Sequence, residues 1–158
     1  MRGARTGFWI VFTVSGLWLQ NFMPGIDLLA PGLVLSLQEE KLRTSILLGV
    51  AWLLIQEGTG SLAFGTVLLW YAVLAALFYF GHYLFEAKNF LFMIIIGIAL
   101  GALHIALMGI MGHLQEWRVI MSRVFMEGGI QAVVFPVEWG LLYIIFNRLP
   151  HHGQSVRV

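Results

Sequence analysis

The chain has 158 residues, of which 59% are hydrophobic and 11% are charged, and its mean hydropathy is +0.87. Soluble domains carry about 25% charged residues, so this composition indicates an integral membrane protein. A net charge of +1 gives no reason to expect a nucleic-acid partner, and the absence of cysteine excludes disulfides and thiolate metal sites. Each crossing helix needs about 20 apolar residues. We therefore expect one integral membrane domain over residues 1–158, an all-α compact bundle of about six transmembrane helices.

The first predicted helix is the apolar run at residues 8–19, which follows a basic head containing Arg2 and Arg5. A run of this length also fits the hydrophobic region of a secretory signal peptide. No small-residue cleavage site follows, because the next residues are Gln-Asn-Phe-Met-Pro. We therefore expect an uncleaved first helix.

Two short apolar segments come next, residues 26–37 and 44–55, with a polar turn between them. Asp27 has the position of an N-terminal cap on the first of them, and Pro31 is expected to kink it. Both segments are too short to span a bilayer upright. They either thin the bilayer locally, bury their ends against other helices, or form a re-entrant hairpin.

The second short segment ends in Gln56 and Glu57, and a glycine-rich corner containing Gly60 follows, with Gly65 ahead of the next apolar run. An ionisable group in a membrane is costly and usually faces protein or a cavity. Two roles are open for Glu57. It accepts hydrogen bonds from amides of the corner, or it binds a basic or polar group of a partner helix.

Residues 62–85 form the first uninterrupted predicted span. His82 and Glu86 lie four residues apart at its end, which places them on one helical face. Two ligands do not make a metal site, so this spacing favours a hydrogen-bonded pair at the membrane interface.

Residues 90–112 form the second uninterrupted span and are rich in small residues. Small residues four positions apart let helix backbones approach closely. Two such pairs occur here, Gly97 with Gly101 and Ala102 with Ala106. We expect this helix to be central and to pack within the chain, with His104 hydrogen-bonded to a neighbouring helix.

Residues 113–127 show apolar residues at helical spacing and charged residues on the other face, which predicts a short amphipathic helix on the membrane surface. Residues 128–146 form the last predicted span. Pro136 is expected to kink this span, and Glu138 lies close to the expected kink.

Charge distribution predicts the orientation. With six crossings both termini share one side, and that side holds seven basic residues: Arg2, Arg5, Lys41, Arg43, Lys88, Arg148 and Arg157. The other side holds Arg118 and Arg123 only. Because basic residues accumulate in cytoplasmic loops, both termini are predicted to lie in the cytoplasm.

Enzyme motifs are missing from the sequence. It has no phosphate-binding glycine loop that ends in Lys-Ser or Lys-Thr, and no H-E-x-x-H. We therefore predict a non-catalytic binding or scaffold protein without cofactor or metal. The candidate residues for partner binding or structure are Asp27, Gln56, Glu57, Gly60, Gly65 and Glu138.

The first half of the chain resembles the rod shape-determining protein MreD family of small bacterial inner-membrane proteins. Those proteins show P-D-L-L-L near the second helix and G-L-x-x-D-x-x-x-G-x-x-x-G after the third. Here Pro24 and Asp27 are separated by two residues, the acid is Glu57, and the inner glycine, Gly60, comes one position early before Gly65.

The resemblance implies a subunit of the cell-elongation machinery that binds the membrane-anchored protein MreC. It would lie beside the actin-like filament protein, the glycosyltransferase and the transpeptidase that build lateral peptidoglycan. It also implies a fold similar to the six-helix substrate-binding subunits of energy-coupling-factor vitamin transporters. The alternative function is such a subunit, with a ligand pocket lined by Gln56, Glu57, His104 and Glu138. Against it, the first helix lacks the A-x-x-x-A pattern through which those subunits dock.

Overall fold

The computed structural model describes residues 3–23, 25–58, 65–114 and 119–149, with only the backbone described at residue 114. These ranges form six α-helices and no strand. The helices are α1 (Gly3–Gln20), α2 (Ala30–Glu39), α3 (Leu42–Gly58), α4 (Thr66–Gly81), α5 (Phe90–Leu114) and α6 (Met121–Arg148).

Consecutive helices run in opposite directions. Trp9, early in α1, donates its indole N–H to Glu40 just after α2, while Gln20 at the end of α1 donates to Asp27 just before α2. Contacts between later helices show the same alternation: Ser36 with Ser45, Glu57 with Gly65, Gly81 with Phe92, and Gly101 with Gly128. The bundle therefore has two ends, which we call the Asp27 end and the Arg5 end.

The short helix α2 forms the centre of the bundle. All of its residues from Ala30 to Ser36 are buried, and it packs against α3, α4 and α6. A helix enclosed by protein on all sides does not have to match the thickness of a bilayer. This explains how a helix of only ten residues can lie inside the bundle. The expectation that the helix at residues 90–112 is central was wrong, since α5 packs mainly on α6.

The sequence had suggested that Pro31 kinks α2, and this was wrong. Pro31 lies in the first turn, where the backbone N–H has no partner within the helix and the fixed φ of proline fits the helical backbone. The helix accordingly starts four residues later than the predicted segment.

Glycines bring α5 and α6 into backbone contact. A Cβ atom at Gly97 would lie 2.7 Å from the carbonyl oxygen of Ala132, and one at Gly101 would collide with the carbonyl oxygen of Gly128. Gly97 and Gly101 thus face α6 within the same chain. Ala102 and Ala106 do not share this role, because both are exposed on the outside of α5.

Two predicted boundaries were wrong. Helix α4 ends at Gly81, so His82 and Glu86 do not lie on one helical face, and the ring Nδ1 of His82 is 2.7 Å from the carbonyl oxygen of Tyr79. The predicted surface helix at residues 113–127 is not a separate element. Its last seven residues are the first two turns of α6, which continues through Pro136, and residues 115–118 lie outside the described ranges.

The surface of the bundle is apolar and part of its interior is polar. Exposed large hydrophobic side chains occur on α1, α3, α4, α5 and α6, whereas Ser36, Ser45 and Gln131 are buried. The buried hydroxyl of Ser45 donates a hydrogen bond to the carbonyl oxygen of Ser36 at 2.7 Å. This distribution favours an apolar surrounding.

Among the described residues, two helices are long and apolar enough to cross a membrane, residues Phe90–His113 of α5 and Met121–Arg148 of α6. Helix α4 is also apolar but has only 16 residues. The all-helical architecture of the prediction is confirmed, and the number of crossings stays a prediction.

Polar contacts close the Arg5 end. Lys88 pairs with Glu39 at 2.6 Å, and the indole N–H of Trp139 donates to the side-chain oxygen of Gln38 at 2.9 Å. The hydrogen bond to Glu39 raises the pKa of Lys88 above its ordinary value. These contacts join α2 to α6 and to the turn before α5. At the opposite end, the Asp27 end, polar side chains line a cavity.

Candidate functional site

Asp27 lies in the connection between α1 and α2, and its side chain accepts hydrogen bonds from α1, from α3 and from the residue before α2. Its Oδ1 accepts hydrogen bonds from the backbone N–H of Leu29 at 2.9 Å, from Gln20 at 3.2 Å and from Gln56 at 3.2 Å. The bond from Leu29 closes a turn just before α2. The N-cap residue of α2 is Leu29, without a side-chain capping hydrogen bond, so Asp27 does not occupy the capping position that the sequence suggested. The other two bonds tie the ends of α1 and α3 to the same oxygen atom.

Gln131 of α6 holds the backbone at Asp27 from the other side. Its side-chain oxygen accepts the N–H of Asp27 at 2.8 Å, and its side-chain nitrogen donates to the carbonyl oxygen of Asp27 at 3.3 Å. Gln131 is only 1% exposed, so both bonds satisfy groups that would otherwise be buried without a partner. Gln56 also donates to the hydroxyl of Tyr71 on α4 at 2.9 Å. Groups of four helices, α1, α3, α4 and α6, therefore bond to Asp27 or to one of its partners.

A cavity of about 590 Å³ opens beside this network. Its polar lining includes Gln20, Asp27, Gln56, Thr66, Trp70 and His104, and its apolar lining includes Leu17, Ile26, Ile55 and Met108. No lysine or arginine is among the described residues that line it. The cavity is therefore a mixed polar and apolar pocket with one carboxylate.

Three residues that line this cavity each have a buried polar atom without a partner of ordinary hydrogen-bond geometry among the described residues: Oδ2 of Asp27, Oγ1 of Thr66 and Nε1 of Trp70. The side chain of Trp70 is nevertheless within hydrogen-bonding reach of the Asp27 carboxylate, so these two residues act on each other.

His104 links α5 to α6 at the edge of the cavity. Its Nε2 lies 3.2 Å from Oε2 of Glu127, whose other oxygen accepts from Nε of Arg123 at 2.8 Å. The expected bond from His104 to a neighbouring helix is therefore present. Gly25 lies under the same carboxylate with φ +92, and a Cβ there would be 2.6 Å from the Glu127 carboxyl carbon. The positive φ is what favours glycine at this turn, since the end of the Glu127 side chain could move away from a Cβ atom.

Glu57 caps the first turn of α4. Both of its oxygens accept from the N–H of Gly65, at 2.9 and 3.0 Å, and Oε1 also accepts from the N–H of Val67 at 3.1 Å. Gly65 is the N-cap residue of α4 and has φ +89, which glycine adopts without strain. These donors belong to the start of α4 and not to the glycine corner, and because residues 59–64 lie outside the described ranges, bonds from the corner's amides to Glu57 stay a prediction. Gly60 lies outside the described residues.

The expected ligand pocket agrees with the cavity only in part. Gln56 and His104 line it, but Glu57 and Glu138 do not, so their placement in a common pocket was wrong. Glu138 is half-buried on α6, and its Oε2 has no hydrogen-bond partner in the part of the chain that the structure describes. Thr66 and Trp70 were missed, because a threonine and a tryptophan at the start of an apolar helix give no signal of a site in sequence.

A group of three or more histidine and acidic residues able to hold a metal ion does not occur among the described residues. Comparison of the chain with protein-family models, with curated proteins and with solved structures found no match.

Proposed function

We propose that the chain is a non-catalytic, multi-pass protein of the bacterial inner membrane that acts as a subunit of the cell-elongation machinery and binds MreC. In this proposal six helices cross the membrane, with the Arg5 end and both termini in the cytoplasm. The transpeptidase, the glycosyltransferase and the actin-like filament protein are its neighbours in the complex.

One observation supports the proposal. The described residues that carry the resemblance to the MreD family are Asp27, Glu57 and Gly65, and all three lie at the same end of the bundle although Asp27 precedes the other two by a whole helix pair. There Asp27 joins α1, α2 and α3, while Glu57 joins α3 to α4 through Gly65. Residues that hold one end of a bundle together also determine the shape of the surface there, which is what a partner protein recognises.

The proposal is tested by co-purification and by cell shape. A tagged chain expressed at its native level in its own rod-shaped host is expected to retain MreC after detergent extraction. A tagged multi-pass protein of similar abundance serves as the control and should retain none. Depletion of the chain should make the cells round. Recovery of no MreC together with rods that persist after depletion would contradict the proposal.

The cavity favours a second candidate function, a substrate-binding membrane subunit of the energy-coupling-factor type. Its volume of about 590 Å³ falls within the range of about 300–1,000 Å³ found for small-molecule sites. The lining also has the composition of such sites, a largely apolar wall with a few polar groups that converge.

Native mass spectrometry of the protein as purified tests this candidate. A bound molecule should appear as a discrete mass increment that is lost after extensive washing or mild activation. A bare chain mass from both detergent and nanodisc preparations would contradict ligand binding.

A further inference from the structure

Glu138 lies in the middle of an apolar stretch of helix. Helix α6 is one of the two described helices that are long and apolar enough to cross a membrane. Between Glu127 and Arg148, Glu138 is the only acidic or basic residue, eleven residues after the first and ten before the second. At 1.5 Å per residue, it is about 15 Å along the helix from either of them. An ionisable residue at such a position is costly in a membrane and indicates a site with a partner.

The described part of the chain supplies no partner for this carboxyl group. Its Oε2 is enclosed by the chain and has no hydrogen bond. Its Oε1 also has no hydrogen bond to a described residue, yet it is not among the enclosed atoms, so it reaches the surface of the half-buried side chain. No described basic residue forms an ion pair with Glu138. The ionisable group that acts on it is Asp27, which is also an acid.

The surface around Oε1 is apolar. Val137 is next to Glu138 and is 53% exposed, while Leu141 and Ile145, one and two turns further on the same side of α6, are 58% and 51% exposed. Neither these side chains nor lipid tails can bond to a polar group. A carboxylate in such surroundings needs a paired charge, and without one the group takes up a proton. Glu138 therefore presents a neutral acid, which has one O–H donor and also accepts hydrogen bonds.

We propose that this face of α6 packs against the same face of a second copy of the chain, and that the two Glu138 side chains bond to each other. Oε1 of one copy donates its proton to Oε1 of the other, so the enclosed Oε2 atoms take no part. This pairing goes beyond the proposed function and is independent of binding to MreC.

A second copy fits this face for two reasons. A neutral carboxyl group can donate or accept, so it is complementary to itself. Two copies inserted in the same direction are related by a two-fold axis along the membrane normal, which places every residue at the same depth as its counterpart. Each polar group therefore meets its match within the apolar belt, and an interhelical hydrogen bond there contributes to helix association.

The first experiment measures association of the full chain in lipid vesicles. Copies labelled at a single introduced cysteine, Lys41→Cys, report dimers by energy transfer across a series of lipid dilutions. Glu138→Leu keeps the approximate size and removes donor and acceptor, so the dissociation constant of the dimer should rise about tenfold, as the loss of one interhelical hydrogen bond predicts. Glu138→Gln keeps a donor and an acceptor and should associate as wild type does. The matched control is Glu86→Leu, which replaces an exposed acid in the turn after α4 and should change nothing.

The second experiment maps the face by cross-linking and does not depend on any variant of Glu138. Leu141→Cys, on the proposed face, should form a disulfide-linked dimer under mild oxidation. Ile98→Cys, which is 58% exposed on the outside of α5, should not. The variant Glu138→Leu is itself expected to fold, because it replaces an unpaired enclosed oxygen with an apolar group, and the unfolding temperature in detergent checks this.

Equal association by wild type and Glu138→Leu would overturn the proposal, and so would a wild type that stays monomeric at every dilution. Loss of association in Glu138→Gln would show that a neutral donor and acceptor are not what joins the copies. Cross-linking of Leu141→Cys in cell membranes to a different protein, and never to itself, would assign this face to another partner and overturn the pairing of copies.

Discussion

Glu57 stabilises the start of α4, because its carboxylate accepts hydrogen bonds from two backbone N–H groups that the helix cannot satisfy. Glu57→Leu removes these bonds and should lower the free energy of unfolding by about 1–2 kcal/mol, as other lost N-terminal caps do. Glu57→Gln keeps one acceptor oxygen and should lose less. Urea or thermal unfolding in detergent measures both changes.

The control for Glu57 is Glu86, an exposed carboxylate in the turn between α4 and α5. Glu86→Gln and Glu86→Leu should leave stability within about 0.5 kcal/mol of wild type, as surface substitutions usually do. If Glu57→Gln is as stable and abundant as wild type but loses MreC on purification, Glu57 binds a partner and its capping bonds are incidental.

The sequence predicted the hydrogen-bond contacts of some residues of the site and not those of others. It predicted the cross-helix bond of His104, because a polar group in apolar surroundings needs a partner. It misplaced Asp27, which is not the N-cap residue of α2, and residues 59–64, whose amides were expected to bond to Glu57, lie outside the described residues. It could not predict the bonds between Asp27 and Gln131, which are 104 residues apart. A single sequence contains no local pattern that relates residues at such a separation.

Helices α5 and α6 are held together by backbone contact, and this contact depends on residues that lack a side chain at the interface. Gly101→Leu places a large side chain against the carbonyl oxygen of Gly128. We expect Gly101→Leu to destabilise the bundle by more than the 1–3 kcal/mol typical of overpacked cores, because backbone cannot move aside as side chains do. Thermal unfolding and the yield of monodisperse protein measure the effect.

Ala102 is the matched control for this helix. It is adjacent to Gly101 and is exposed. Ala102→Leu adds an apolar side chain to an apolar outer surface and should leave the unfolding temperature unchanged. Equal damage by both substitutions would show that the outer face of α5 is also an interface.

The elements differ in how well the sequence specified them. Helix α5 was predicted almost completely, since a long apolar run bounded by charges has few other interpretations. The start of α6 was misplaced because residues 113–127 combine apolar residues at helical spacing with a polar face that includes Glu116, Arg118 and Arg123, as a surface helix does. In the structure Glu127 is bonded to His104 on α5, so its charge belongs to an interhelical contact. Tertiary contacts of this kind override the local pattern.

At the scale of the whole molecule, charge and burial are arranged along one axis. Of the six described lysines and arginines, Arg123 lies at the Asp27 end, and the other five lie at or near the Arg5 end: Arg5, Lys41, Arg43, Lys88 and Arg148. The cavity opens among the helix termini of the Asp27 end. Because basic residues accumulate on the cytoplasmic side of membrane proteins, we predict that the Asp27 end and its cavity face the outside of the cell.

Cysteine labelling tests this orientation directly, because the natural chain contains no cysteine and the assay therefore has no background. Asn21 and Lys41 are both exposed, and they lie at opposite ends of the bundle, just after α1 and just before α3. In intact cells with a permeable outer membrane, Asn21→Cys should react with an impermeant maleimide, while Lys41→Cys should react only after lysis. Labelling of Lys41→Cys alone would invert the orientation. Labelling of both in intact cells would place α1 and α2 outside the membrane and leave α5 and α6 as the crossing helices.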